Sequence, residues 1–383
     1  MMVAFAEMLR GVVFFALGVS ASCLTGVDPL DVFAGRYVEL AWALDAHDPG
    51  YVDTSLASGR PESLRLELDA IEEDASRLLV ALGRVPASPR TRFLKGQLTA
   101  IHARTRVLAG DRFSFDEELK AFYNVTLSPL RKPDVERIHA RLNDLLPGGE
   151  TLLARYTAYL QPTIFSGDEL VGLVTEALEE CRRRTVRHLD LPEGERVEVE
   201  YVRGKPWAAY HVYRGELRSV VQINSDVAWT PRSVLESVCH ESYPGHHTLS
   251  VLAETELVRR RGLKEFSVQT LHSPYGWRLE SLASQGTELA LDEGVGEEID
   301  QLGRCLYPIA VEGARRYLEG RLDRVGTVLW LEKHALMADA WGFLRFVHRY
   351  RGYVTAYATC AWSETDDPWK RWSELARGDD EVS

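Results

Sequence analysis

The stretch Val238–Val251, VCHESYPGHHTLSV, sets His240, Glu241, His246 and His247 close together. Imidazoles ligate divalent metals, and a carboxylate beside a ligating histidine can take a proton from water, so the chemistry predicted here is metal-assisted hydrolysis. Two histidines one helical turn apart would share a metal on a straight helix. Four residues after His240, however, the chain has Pro244. His246 and His247 lie far enough on that a straight helix would separate them from His240 by roughly 9 to 10.5 Å. Two nitrogens on one zinc are only about 3 to 3.5 Å apart. Pro244 disfavours helical geometry at Tyr243 and cannot donate to the His240 carbonyl, while Gly245 permits a turn. The Pro-Gly pair therefore predicts a looped-out insertion that brings His246, or with a larger bulge His247, into ligating position. Glu241 would then face a zinc-held water.

A catalytic zinc takes three protein ligands and keeps one position open. Candidates for the third are Glu254, Glu256, Glu265, Glu280 and Glu288. Glu280 is favoured. It falls on the apolar side of a helix predicted to start at Ser273-Pro274, near Leu279, Leu282 and Ala283, and an acid among apolar neighbours needs a partner. Pairing with Arg278 is the competing expectation.

The elements that must position these groups are mainly helical. Apolar residues recur at three- and four-residue spacing from Asp31 to about Leu189, broken at HDPG, GRVPASPR and LLPGGE. The pattern changes after LDLPEGE. RVEVEYV alternates, WAAYHVY is β-rich, and LRSVVQIN follows a turn at RGE, which predicts a three-stranded antiparallel meander ending at Asn224 to Asp226. Thr230-Pro231 is an N-cap followed by proline at the first helical position, so the histidine motif should ride on a helix directly after this sheet. The fold class expected is mainly α with a small antiparallel sheet. The division expected is an extension at 1–30, a helical region at 31–190 and a metal-site region at 191–383, the last two forming one compact unit.

With 383 residues and 45% hydrophobic content the chain can bury a sizeable core. It has 57 acidic and 45 basic residues, a net charge of -12. No basic stripe marks a nucleic-acid partner, and the Arg182–Arg184 and Arg259–Arg261 triplets read as solvated helix faces. Cys23, Cys181, Cys239, Cys305 and Cys360 have no paired spacing and read as isolated thiols. Residues 11–23, GVVFFALGVSASC, fit either a signal peptide, and so export, or an unprocessed cytoplasmic extension. They are too short to span a bilayer, and no integral membrane segment is expected. Nothing in the sequence fixes the oligomeric state.

The motif resembles the H-E-x-x-P-G-H-H hallmark of a large bacterial family, domain of unknown function 885, which is grouped with zinc metallopeptidases whose third ligand is glutamate. The resemblance runs from about Phe33 to Trp362. RYVELAWALDAHDPGYVD is similar to the family's first helix and turn, and KPWAAYHVYRGELRSVVQINSD to its strand pair. The family's register maps its ligand glutamate onto Glu280. Leu249, Ser281 and Ser284 depart from its pattern beside the site. RYRGYVTAYATC resembles a C-terminal segment of the family and carries Arg351, Tyr353 and Tyr357. The resemblance implies a zincin-like architecture in which His240, His246 (or His247) and Glu280 hold one Zn2+, Glu241 activates water, and Tyr357 or Arg351 steadies the oxyanion. The activity implied is hydrolysis of a peptide. A non-peptide amide or ester is the first alternative, and a non-catalytic binding descendant of the fold is the second. The strand ending QINSD, flanked by Tyr210 and His211, is the expected edge for an extended substrate.

Overall fold

The structure, a computed structural model, describes residues 28–56, 65–160, 165, 167–205, 207–292, 298–358 and 367–378. The expected signal peptide, Cys23 and Cys360 lie outside the described residues.

The architecture is mostly helical with small sheets, as the periodicity implies. Helix α1 (Leu30–Asp45) leads into strand β1 (Val52–Ser55), then α2 (Leu68–Leu82) and α3 (Pro89–Leu108). Next come α4 (Phe115–Glu118), continued by a wide turn Leu119–Tyr123, then α5 (Lys132–Leu145), α6 (Leu152–Leu160) and α7 (Gly167–Thr185). Strands β2 (Arg196–Val202), β3 (Ala209–Gly215) and β4 (Arg218–Asn224) precede α8 (Pro231–Glu241) and α9 (His246–Leu252). A wider-wound helical stretch, Ala253–Arg260, continues α9, and strand β5 (Val268–Thr270) leads to α10 (Pro274–Asp292). Helices α11 (Glu298–Arg304), α12 (Tyr307–Leu318), α13 (Arg324–His334), α14 (Ala340–Tyr350) and α15 (Pro368–Ala376) complete the set, with a tight 3-10 segment Arg351–Tyr357 after α14.

Strands β3 and β4 form the expected hairpin. Its turn residues Glu216 and Leu217 both have positive φ, which matches the twist of paired strands. Strand β2, however, does not extend a meander. It pairs parallel to β4, so the order is β2-β4-β3 and the sheet is mixed. Asn224 accounts for the difference. At the end of β4 its side-chain amide donates to the carbonyls of Lys205 and Trp207, and its own N–H donates to Ala208, clasping the connection that carries the chain past β4. Strand β1 lies in the half read as purely helical and pairs antiparallel with β5. It is too short for alternation to reveal.

One apolar cluster joins Phe33, Tyr37, Leu94 and Leu98 to Leu249, Phe266, Leu282 and Trp372. Segments on both sides of residue 190 therefore share a core. Cys181 and Cys239 are not isolated thiols. Helices α7 and α8 pack side by side, bring their Cα atoms to 5.3 Å, and a disulfide joins them. Cys305 is disulfide-bonded as well. The pairing is set by helix packing, which spacing along the chain does not disclose. Among the described residues no helix is long and apolar enough to cross a membrane.

Candidate metal centre

Helix α8 starts as its sequence dictates. Thr230 accepts from the Ser233 N–H, the Ser233 hydroxyl accepts in return from the Thr230 N–H, and Pro231 opens the first turn. The helix ends at Glu241, and α9 starts at His246 after the Ser242–Gly245 turn, whose Tyr243–Pro244 peptide is cis. The turn satisfies its own backbone. Gly245 N–H donates to the Cys239 carbonyl at 3.1 Å and Thr248 N–H to the Ser242 carbonyl at 3.2 Å. Gly245 is required for contact, not for φ: a Cβ there would fall 1.7 Å from the His240 carbonyl oxygen. A second glycine, Gly286 on α10, gives room to the ring of Pro244, which would lie 2.8 Å from a Cβ at that position.

This fold-back brings His246 to His240. Their ring centres are 4.9 Å apart at 81°. Helix α10 packs against α8 and presents Glu280 to both, one oxygen 3.3 Å from His240 Nε2 and the other 3.4 Å from His246 Nε2. These three form a group of donor atoms all within 4.8 Å of one another. The two distances to Glu280 match the separation of about 3 to 3.5 Å expected for ligands on one tetrahedral zinc, and two histidines with one carboxylate are a donor set that zinc takes. The electrostatics agree. Burial acts to raise the Glu280 carboxyl, but the two histidines outweigh it and hold it well below its ordinary range. Burial acts to lower His246, but Glu280, aided by Glu241 and Asp53, lifts it to about 9. The other glutamates considered are engaged elsewhere: Glu254 with Tyr213 and Arg259, Glu256 with Arg260, Glu265 with Arg90, Glu288 near Arg304. Arg278 donates to the Leu375 carbonyl.

His247 is not in this group. It is fully buried, with Nδ1 2.7 Å from the Ser219 hydroxyl and Nε2 2.9 Å from Glu195. Ser219 in turn meets His211 at 2.8 Å, while Tyr243 and Arg182 also donate to Glu195. This network clamps the β4–α9 side of the fold-back. Glu195 was missed because it sits in the turn-like LDLPEGE.

A cavity of about 600 Å³ opens onto the three donors and is lined by Glu241 and Tyr357 among others. Burial pushes the Glu241 carboxyl upward despite the nearby histidines. The Tyr357 ring lies 6.1 Å from that of His240, and burial, with Glu280 nearby, pushes its hydroxyl well above the ordinary range. Arg351 does not line the cavity. Its guanidinium meets Glu118 at 2.6 Å, and the other Glu118 oxygen accepts from the Gly352 N–H at 2.8 Å. It ties the tight segment bearing Tyr353 and Tyr357 to Glu118. Strand β4, expected to offer a free edge, is central. Of the two outer strands, β2 and β3, it is β3 whose Tyr210 and His211 line the cavity. Leu249 packs in the main core, and the Ser281 hydroxyl accepts from Gln285 at 3.2 Å. Asp53, on β1, also lines the cavity. Its only signal was a place at the end of the segment GYVD, which spacing could not connect to the histidines.

No family model matches the chain, and no curated protein does. Among solved structures, a protein of Colwellia psychrerythraea provisionally described as a lipoprotein is similar in fold, with a TM-score of 0.52 at 13% identity over 82% of this chain and 67% of that one.

Proposed function

We propose that this protein is a zinc-dependent metallopeptidase of zincin-like architecture, related to the bacterial family whose H-E-x-x-P-G-H-H pattern it carries. The observation that carries the reading is the convergence of His240, His246 and Glu280 at one end of a cavity that Glu241 also lines. When bound there, zinc supplies Lewis-acid polarisation of the scissile carbonyl and makes water more acidic. Glu241, the residue next to His240, accepts the proton of the attacking water and returns it to the leaving amine. Its upward shift by burial suits a group that must both take and give a proton near neutrality. Tyr357, which lines the cavity beside His240, donates its hydroxyl to the developing oxyanion. Glu118 and Arg351 hold the segment that carries it.

The test joins metal analysis to a peptide digest. Wild type should carry zinc that His240→Ala lacks, and a peptide library should be cut by wild type and not by zinc-loaded Glu241→Gln. Equal zinc in both proteins sinks the ligand set. Absence of zinc-dependent cleavage by wild type sinks the peptidase reading.

A further inference from the structure

The cavity contains a carboxylate that the proposed chemistry does not use. Asp53 projects from β1 and is open to the cavity. Tyr210 on β3 donates to its Oδ1 at 2.5 Å, and Tyr210 is itself stacked on Trp207, ring centres 5.3 Å apart. The other oxygen has only the Thr54 hydroxyl, at the weak distance of 3.4 Å. Among the described residues no lysine or arginine pairs with Asp53. The cation deepest in the cavity, Arg104, is taken by Asp48 at 2.7 Å. Lys205 and Arg349 are exposed, the first over Trp207 and the second over the Tyr350 ring. Asp53 is nonetheless close enough to His246, Glu280 and Glu241 for each to feel its charge.

Of the three carboxylates grouped near His246, Glu280 meets the two histidines and Glu241 has the proposed proton transfer, which leaves Asp53 as the one without an assigned partner in the chemistry. A carboxylate oriented by a tyrosine, without a cation of its own, is a receptor for an ammonium group.

We propose that Asp53, held by Tyr210, anchors the free N-terminal ammonium of a peptide substrate, so that the site acts on the N-terminal end of peptides. This rests on the metallopeptidase reading and names its substrate class. An ammonium on Asp53 gives that carboxylate a counter-charge and fixes the first residue beside His246, with the following peptide bond directed to Glu241.

The test reads binding, so that it does not depend on turnover. Zinc-loaded Glu241→Gln protein is titrated calorimetrically with the peptide amide Leu-Ala-Ala-Ala-NH2, with its N-acetyl form, and with N-acetyl-Lys-Ala-Ala-Ala-NH2. The free peptide should bind at least about tenfold tighter than its acetylated form, as expected for losing a hydrogen bond between charged groups. Adding Asp53→Asn, which keeps an acceptor for Tyr210, should shrink that ratio to within about twofold. Equal binding of free and acetylated peptides, absence of binding by either, or a ratio unchanged in the Asp53→Asn protein overturns the assignment. Tight binding of the acetylated lysine peptide overturns it in favour of a side-chain cation. The acetyl comparison needs no change at Asp53, so a poorly folding variant would not shield the proposal. Failure of the metallopeptidase reading appears separately, as wild type that cuts neither free nor acetylated peptides.

Discussion

Replacing Gly245 with alanine should dismantle the metal centre while leaving every ligand in the chain. The new Cβ would lie 1.7 Å from the His240 carbonyl oxygen, 2.4 Å from its carbon and 2.6 Å from the Cys239 carbonyl oxygen. All three are backbone atoms of α8, so no side chain can swing aside. Relief requires α8 and α9 to part by more than about 1 Å, since packed interiors have no slack on that scale. Metal–ligand distances tolerate only about 0.2 Å. His240 and His246, on opposite sides of the wedge, would then no longer reach one ion with Glu280. A change that merely disorients ligands costs about 10- to 100-fold in affinity; this one displaces a ligand and should cost at least about 100-fold. Overpacking should also lower stability by about 1 to 3 kcal/mol. Zinc affinity is read by competition with a chromophoric chelator, and stability by thermal melts with and without zinc. Gly172→Ala is the control: it sits on exposed α7 with nothing within 4 Å of its Cβ and should be neutral or slightly stabilising. If Gly245→Ala binds zinc within threefold of wild type and melts alike, the account of the fold-back is wrong.

The adjacent histidines should separate cleanly: His246→Ala loses zinc, whereas His247→Ala keeps its zinc but loses about 2 to 4 kcal/mol in denaturant melts, because Glu195 and Ser219 lose a buried partner. Removing the α7–α8 disulfide with Cys181→Ser should cost about 2 to 4 kcal/mol in the same melts. Burial acts to raise Glu195, but His247, Tyr243 and Arg182 outweigh it and hold the carboxyl at about 2, against an ordinary 4.5. Its folded value is depressed, so its contribution is fully present above pH 4.5 and lost as pH falls through 2. The stability gap between wild type and Glu195→Gln, on the order of 3 kcal/mol at pH 6, should close across that window.

The motif helix and the break that brings His246 to His240 were readable because they rest on local rules. Thr230-Pro231 announces a helix start, and Pro244-Gly245 announces a break between two histidines. The choice between His246 and His247 was not readable: adjacent residues on α9 point to different sides, and only the partners Glu195 and Ser219, brought in by the sheet, show which side faces the metal. Arg351 reads as a cation near a tyrosine segment, but Glu118, from a distant helix, claims it. The same limit applies to β2, whose parallel pairing depends on the Asn224 clasp, and to Cys181 and Cys239, which meet through helix packing. Asp53 belongs to a strand whose partner, β5, lies far along the chain. Local pattern pointed to the two histidines, and long-range pairing built the cavity around them.

The cavity draws on β1, α3, β3, the α8–α9 fold-back, α10 and the segment after α14, pieces scattered from Asp48 to Tyr357. Such non-local contacts form late, after the loops between them have closed. During synthesis, a chain that has reached β2 carries Asp53 and Arg104 but neither histidine, and one that has reached α10 holds all three donors but lacks Tyr357. On the proposed reading, the site is completed only near the end of synthesis, so a nascent chain would carry no hydrolytic centre beside its own unfolded, cleavable segments.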